Sequence, residues 1–329
     1  MNEKLNITKE WDKVFPLSDK VNHKKVTFKN HFGITLVADM YEPKDYKGKL
    51  PALAVSGPYG AVKEQSSGLY AQEMAQRGFL TIAFDPSFTG ESTGTPRYMT
   101  SYDINVEDFQ SAVDYLISLD NVDSQKIGII GICGWGGMAL QTACIDTRIK
   151  ATIVSTMYDM SRVAGNGYFD SDDNEEARHN QRVALNNQRN EDYKNKEYAL
   201  AGGVVDPLPE DAPEFLQGYH AYYKTKRGYH KRSLNSNNGW AIQTNTSMMN
   251  VRLFHYANEI RNAVMIIHGD KAHSYYMGKD AYNNMIKDSK YTSNKEFVSI
   301  PNATHTDLYD QKDKIPFDKI EKFLKDNLK

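Results

Sequence analysis

Apolar and polar residues alternate over 24–30 and again over 34–42, with Asn30, His31, Phe32 and Gly33 between them. A period of two sends successive side chains to opposite faces, so the pair predicts a β-hairpin. In the next four runs, 51–56, 79–84, 126–132 and 149–155, the alternation gives way to nearly continuous Ala, Val, Leu, Ile and Phe. Strands of that kind are covered on both faces. Between the runs the period is helical. Leu69, Tyr70, Met74 and Ala75 share a face in 66–77, which stops at Gly78. Phe109, Val113, Leu116 and Ile117 share one in 106–119, and 136–145 is a third helical segment. Strand–helix alternation of this kind predicts right-handed βαβ units and an α/β fold with a mostly parallel sheet.

After residue 155 the pattern changes. Residues 160–258 are rich in Asn, Asp, Tyr and Arg, with short helices expected at 174–189 and 211–224. Strand-like runs return at 263–268 and 295–300, and an amphipathic helix is expected at 315–328. Ordinary connections between neighbouring strands are far shorter than this gap of about 100 residues. The chain therefore divides into a core, 1–159 with 259–329, and an inserted cap, 160–258. The cap is expected over the carboxyl ends of the strands, where open α/β sheets bind ligands.

A formal net charge of −2 gives no long-range pull toward nucleic acid or a membrane. Lys224, Lys226, Arg227, Lys231 and Arg232, interleaved with Tyr222, Tyr223 and Tyr229, are the nearest approach to a basic patch, read as a solvated edge rather than a nucleic-acid groove. No run approaches the roughly 18 apolar residues that span a bilayer, and the start, Met1 to Asn6, is polar. Two cysteines, Cys133 and Cys144, do not make a disulfide framework. A reducing, cytoplasmic location is expected, with the thiols free. The expected partner is a small-molecule substrate; a homodimer is compatible with the chain.

Five stretches carry the chemistry: "GPYGAVKEQ" (57–65), "DPSFTGES" (85–92), "GICGWGG" (131–137), "STMYDMSR" (155–162) and "THTDLYD" (304–310). Together with the hairpin start, they resemble the α/β-hydrolases, and more narrowly a bacterial branch near the dienelactone hydrolases. A fungal branch of that group acts on polyketide thioesters and related acyl compounds. The resemblance implies an α/β-hydrolase fold and a hydrolase of ester, thioester or lactone bonds, or an acyltransferase, working through an acyl-enzyme without a cofactor.

In that fold the nucleophile sits on a sharp strand-to-helix turn whose neighbours must be small. Two registers fit 131–137. In one, Cys133 is the nucleophile between Gly131 and Gly134, at a helix N-terminus that favours a thiolate and an oxyanion. In the other, the Gly136–Gly137 pair sets the turn and Trp135 stands in the nucleophile position. An indole cannot attack a carbonyl, so that register implies a non-hydrolytic, small-molecule-binding member of the fold. His305, in a polar loop after the last strand, is the candidate base. Asp270, after the strand ending at His268, is the candidate acid, with Asp159 the alternative seat. The resemblance places the oxyanion hole at the backbone N–H groups of Tyr59 (or Gly60) and Gly134. Trp135, Tyr158 and His273 are expected at the pocket, Ser274 beside them. The tyrosines of the cap suit a flat acyl group but are read mainly as packing. His268, His273, His305 and Asp270 suit zinc by type, yet no tight His spacing supports a metal. No glycine-rich nucleotide motif occurs.

Overall fold

The computed structural model describes residues 5–329, so most of the polar start, Met1 to Lys4, lies outside them. The strands are β1 (Val21–Lys29), β2 (Thr35–Pro43), β3 (Leu50–Ser56), β4 (Leu80–Phe84), β5 (Val122–Ile132), β6 (Ile149–Ser155), β7 (Ala263–Gly269) and β8 (Lys295–Ile300). They form one sheet in the order β1-β2-β4-β3-β5-β6-β7-β8. β2 runs antiparallel to both β1 and β4, and every other pair is parallel.

Ten α-helices accompany the strands among the described residues: α1 (Ser66–Ala75), α2 (Tyr102–Ile117), α3 (Gly134–Ile145), α4 (Met160–Asn166), α5 (Glu175–Asn195), α6 (Glu214–Tyr223), α7 (Thr244–Met248), α8 (Tyr275–Ile286), α9 (Asp307–Asp310) and α10 (Phe317–Asn327). The period of two along the central strands divides their side chains between two cores. Leu53, Val55, Ile130 and Ile132 pack with Leu69, Tyr70 and Met74 of α1 and Phe323 and Leu324 of α10. Ala52, Ala54, Ile127 and Ile129 pack with Phe109, Val113 and Leu116 of α2 and Met138 of α3.

The helices α4 to α7 lie between β6 and β7. Several contacts tie this insertion to the loops at the strand ends. Arg227 makes a bidentate pair with Asp310, at 2.6 and 2.9 Å, and Asn235 donates to the carbonyl of Tyr59 at 2.6 Å while its N–H bonds Gly60. Arg232 forms ion pairs with Asp12 and Glu64 at 2.9 and 2.7 Å. Tyr222 and Tyr223 are fully buried. The basic run 224–232 is thus in part an internal pairing element, which corrects its reading as a solvated edge.

A buried ionic knot fixes the loop between β3 and α1. The Lys63 ammonium lies 2.7 Å from Glu64, 2.8 Å from Asp85 and 2.7 Å from Glu91, and none of the four is appreciably exposed. Asp85 also accepts from the backbone N–H groups of Lys63 and Glu91, both at 2.8 Å. Burial alone would raise the Glu91 carboxyl; the Lys63 and Lys25 ammonium groups override it and hold it at about 2. Glu64, Asp85 and Glu91 converge as ligands for a divalent ion do, but the Lys63 ammonium already fills that point. Such a knot contributes a fixed loop geometry more than net stability. Lys63→Met should strand Asp85, leave Glu64 and Glu91 to Arg232 and Lys25, and cost about 3–5 kcal/mol. Urea unfolding at neutral pH checks this, and an unchanged midpoint contradicts it.

Candidate active site

β5 ends at Ile132 and α3 begins at Gly134, leaving Cys133 alone on the turn at φ +59° and ψ −130°. A non-glycine residue with positive φ is strained, and such strain concentrates at functional sites. The backbone holds it there through Cys133 N–H to Ser155 O at 2.9 Å, and through Tyr158 N–H and Gly136 N–H to Cys133 O at 3.0 and 2.8 Å. The turn is too tight for larger neighbours: a Cβ on Gly131 would stand 2.2 Å from the Trp135 carbonyl. Cys133 lines a cavity of about 210 Å³ with Tyr59, Tyr158, Met160, Val163, Tyr168, Val204, Tyr219, Asn235 and Tyr309.

This geometry selects between the two registers. Trp135 is buried in the core, edge-on to Phe84 at 6.1 Å and tilted against Phe109 at 5.7 Å. The expectation that Trp135 lines the pocket, or stands in the nucleophile position, is therefore incorrect. Two residues past the turn, the first winding of α3 carries its side chain into the core beside α2.

The Tyr309 hydroxyl and the backbone N–H groups of Tyr59 and Gly134 surround the Cys133 thiol and favour its charged form. Burial raises the thiol, and those three contacts only partly offset it. His305 is buried as well. Its Nδ1 lies 2.6 Å from Ser274 Oγ and 3.0 Å from Thr156 Oγ1, and its Nε2 lies 3.0 Å from the Tyr309 hydroxyl. Burial first, then the neighbouring His273 and His268, pushes the imidazole well below its ordinary range. At neutral pH the pair therefore rests as thiol and neutral imidazole, not as thiolate and imidazolium.

The structure brings neither proposed acid to His305. Asp270 is exposed and accepts from the Asn302 N–H at 2.7 Å, closing the turn after β8. Asp159 caps α4, accepting from Arg162 N–H at 3.0 Å and Ser161 Oγ at 2.5 Å. Both carry the bland turn or cap role of aspartate. Ser274, at the start of α8, holds the Nδ1 position instead. His273 bonds the Tyr158 hydroxyl, which bonds Tyr219 at 2.9 Å, and the His273 ring stacks on Phe215 at 4.5 Å. Of the cap tyrosines, Tyr168 and Tyr219 line the cavity, while Tyr193, Tyr198 and Tyr229 are exposed. Trp240 stacks on Tyr59 at 4.3 Å. Cys144 is half-buried and bonded to the Leu140 carbonyl, its thiol pushed up to about 12 by burial.

Sequence reasoning missed Thr156 and Tyr309. Thr156 left no signal beyond its place at the end of β6. Tyr309 left one, since it follows His305 by four residues, a spacing that stacks side chains on one helical face.

A sheet of this order, with a strained elbow after β5 and a histidine after β8, defines an α/β-hydrolase. The chain belongs to the X-Pro dipeptidyl-peptidase (S15) family, whose pattern matches residues 33–307. It is 50% identical over 329 residues to uncharacterized protein PA2218 of Pseudomonas aeruginosa, spanning 99% of this chain and 86% of that one. The crystal structure of PA2218 superposes with a TM-score of 0.94 at 49% identity, over 99% and 100% of the two chains. A shorter match, 33% identical over 134 residues, covers 41% of this chain and 42% of the acyltransferase drtE of Aspergillus calidoustus. The α/β-hydrolase GrgF from Penicillium sp. shares the fold at a TM-score of 0.72 and 18% identity, over 93% of this chain and 99% of GrgF.

The buried His268 and His305 and the half-buried His273 make a pH signature. His268 is pushed down to about 3 and His273 to about 4, both by burial, and His305 moves the same way. Each takes up a proton near pH 6.5 only after unfolding. Below that pH the unfolded chain binds more protons than the folded one, so stability falls as pH falls. Urea unfolding should show a loss of about 2 kcal/mol for each of His268 and His273 between pH 7 and pH 5, with His305 adding in the same direction. Equal stability at the two pH values contradicts the assignment.

Proposed function

We propose that this chain cleaves or transfers a small acyl group through a thioester on Cys133, with thioesters and activated esters as its donors. The observation that carries the reading is the Cys133 thiol on a strained elbow at the floor of the aromatic cavity, facing the N–H groups of Tyr59 and Gly134. Those two donors suit the oxygen of a tetrahedral intermediate. His305 is the terminal acceptor of the thiol proton. The acyltransferase drtE, and a thiohydrolase, aneE of Aspergillus aculeatus, 33% identical over 103 residues, support acyl chemistry.

The peptide-bond chemistry in the family's description suits this site less well. An amide leaves only when its nitrogen is protonated, which requires a stabilised imidazolium. A carboxylate at Nδ1 supplies that stabilisation in Ser-His-Asp sites, where its loss lowers kcat about 10⁴-fold. His305 has hydroxyl groups at Nδ1. A thiolate or an activated alkoxide leaves without that help. The cavity, about 210 Å³, is smaller than the roughly 300–1,000 Å³ of drug-sized sites and suits a short or single-ring acyl group. A free thiol nucleophile suits a reducing, cytoplasmic compartment. Hydrolysis and acyl transfer share the acyl-enzyme and differ in whether water or another nucleophile accepts.

Turnover of a panel containing N-acetylcysteamine thioesters, p-nitrophenyl esters, a dienelactone and an X-Pro p-nitroanilide tests the reading. Thioesters should lead and the anilide should be inert. Cys133→Ala should lower kcat/KM for the best thioester by about 10³-fold or more. Anilide cleavage without thioester cleavage, or undiminished turnover by Cys133→Ala, refutes it.

A further inference from the structure

We propose that Tyr309 is a catalytic residue that carries the proton between Cys133 and His305, an inference that rests on the acyl chemistry above. The phenol is fully buried, lines the cavity beside Cys133, where it acts on the thiol, and lies 3.0 Å from His305 Nε2. His305 reaches the sulfur through this hydroxyl.

The relay runs in one imidazole tautomer. With the ring proton on Nδ1, directed at Ser274 Oγ at 2.6 Å and Thr156 Oγ1 at 3.0 Å, Nε2 presents its lone pair to Tyr309. The Tyr309 O–H donates to Nε2, and its oxygen accepts the S–H of Cys133. Rings hold the phenol in place, with Tyr222 5.0 Å and Tyr223 6.2 Å away. Burial raises the phenol far above its ordinary value, so a free phenolate is not the carrier. The two transfers are concerted.

In the acylation step the sulfur forms a bond to the carbonyl carbon as its proton passes to the Tyr309 oxygen. The phenol's own proton passes to Nε2, and the carbonyl π pair moves onto the oxygen facing the Tyr59 and Gly134 N–H groups. Collapse breaks the bond to the leaving thiolate, which takes a proton back along the same path. Deacylation repeats the sequence with water or an acceptor hydroxyl and regenerates the thiol.

Alkylation of Cys133 by iodoacetamide, followed across pH, tests the relay without a substrate. Tyr309→Phe keeps the ring and removes the donor that stabilises the thiolate. The alkylation midpoint should move up by about one pH unit or more. His305→Gln should also move it up, and the double variant should move no further than the larger single shift, because both groups act on one path. A Tyr309→Phe midpoint equal to wild type, or fully additive shifts, overturns the proposal. In thioester turnover, Tyr309→Phe should lower kcat about 10²-fold or more with KM within a few-fold; an unchanged kcat overturns it. If Tyr309→Phe does not fold, a proton inventory of wild-type kcat in water–deuterium oxide mixtures decides. A curved, two-proton dependence is expected, and a linear one overturns the relay. Coupled alkylation shifts in a protein inert to every thioester refute the acyl reading and leave the relay standing as a device that activates the thiol.

Discussion

The left-handed backbone at Cys133 is the constraint on which the site depends. At φ +59° the chain turns sharply enough to end a buried strand and start a helix without a loop. That geometry sends the Cys133 side chain to the cavity and the next large one, Trp135, into the core. It also dictates the small residues around it. The turn persists because its surroundings over-determine it: backbone bonds from Ser155, Tyr158 and Gly136 below, and the loop carrying Tyr59 above. That loop is held in turn by the Lys63 knot and by Asn235.

Burial then sets the chemistry. It raises the thiol and lowers the imidazole, so each buried partner is held in its neutral form. Hydroxyl groups surround the imidazole: Ser274 and Thr156 stand at Nδ1, where a serine hydrolase has a carboxylate, and Tyr309 stands at Nε2, where it has the nucleophile. A site of this kind keeps few charges away from water at rest and creates them only as an acyl group arrives. It suits donors whose leaving group needs little protonation.

The architecture was legible because it rests on periodicity. Each of the eight strands lies within a few residues of an apolar run, and the change from alternation to continuous apolar runs marks the step from hairpin to buried sheet. The length between β6 and β7 is taken up by α4 to α7. The candidate site was legible only in part. Cys133 and His305 are tied to the ends of strands; the first lines the aromatic cavity and the second lies buried behind Tyr309. Asp270 was misread because strand ends attract aspartate for turns as readily as for catalysis, and the local sequence does not separate the two. The elbow register stayed open in sequence because glycines flank both Cys133 and Trp135; only the φ of Cys133 and the packing of Trp135 settle it. Tyr309 and Thr156 escaped because their role arises from three segments far apart in the chain, β6, the start of α8 and α9, meeting at one imidazole.

The central claim is that Cys133 receives an acyl group from a substrate. Intact-mass analysis of the protein quenched in acid after brief exposure to a short aromatic acyl thioester, with peptide mapping of the product, measures this directly. The account predicts a mass increase equal to one acyl group, located on the peptide containing Cys133 and reversed by hydroxylamine. An unmodified protein throughout turnover, or an acyl group on any other residue, contradicts it.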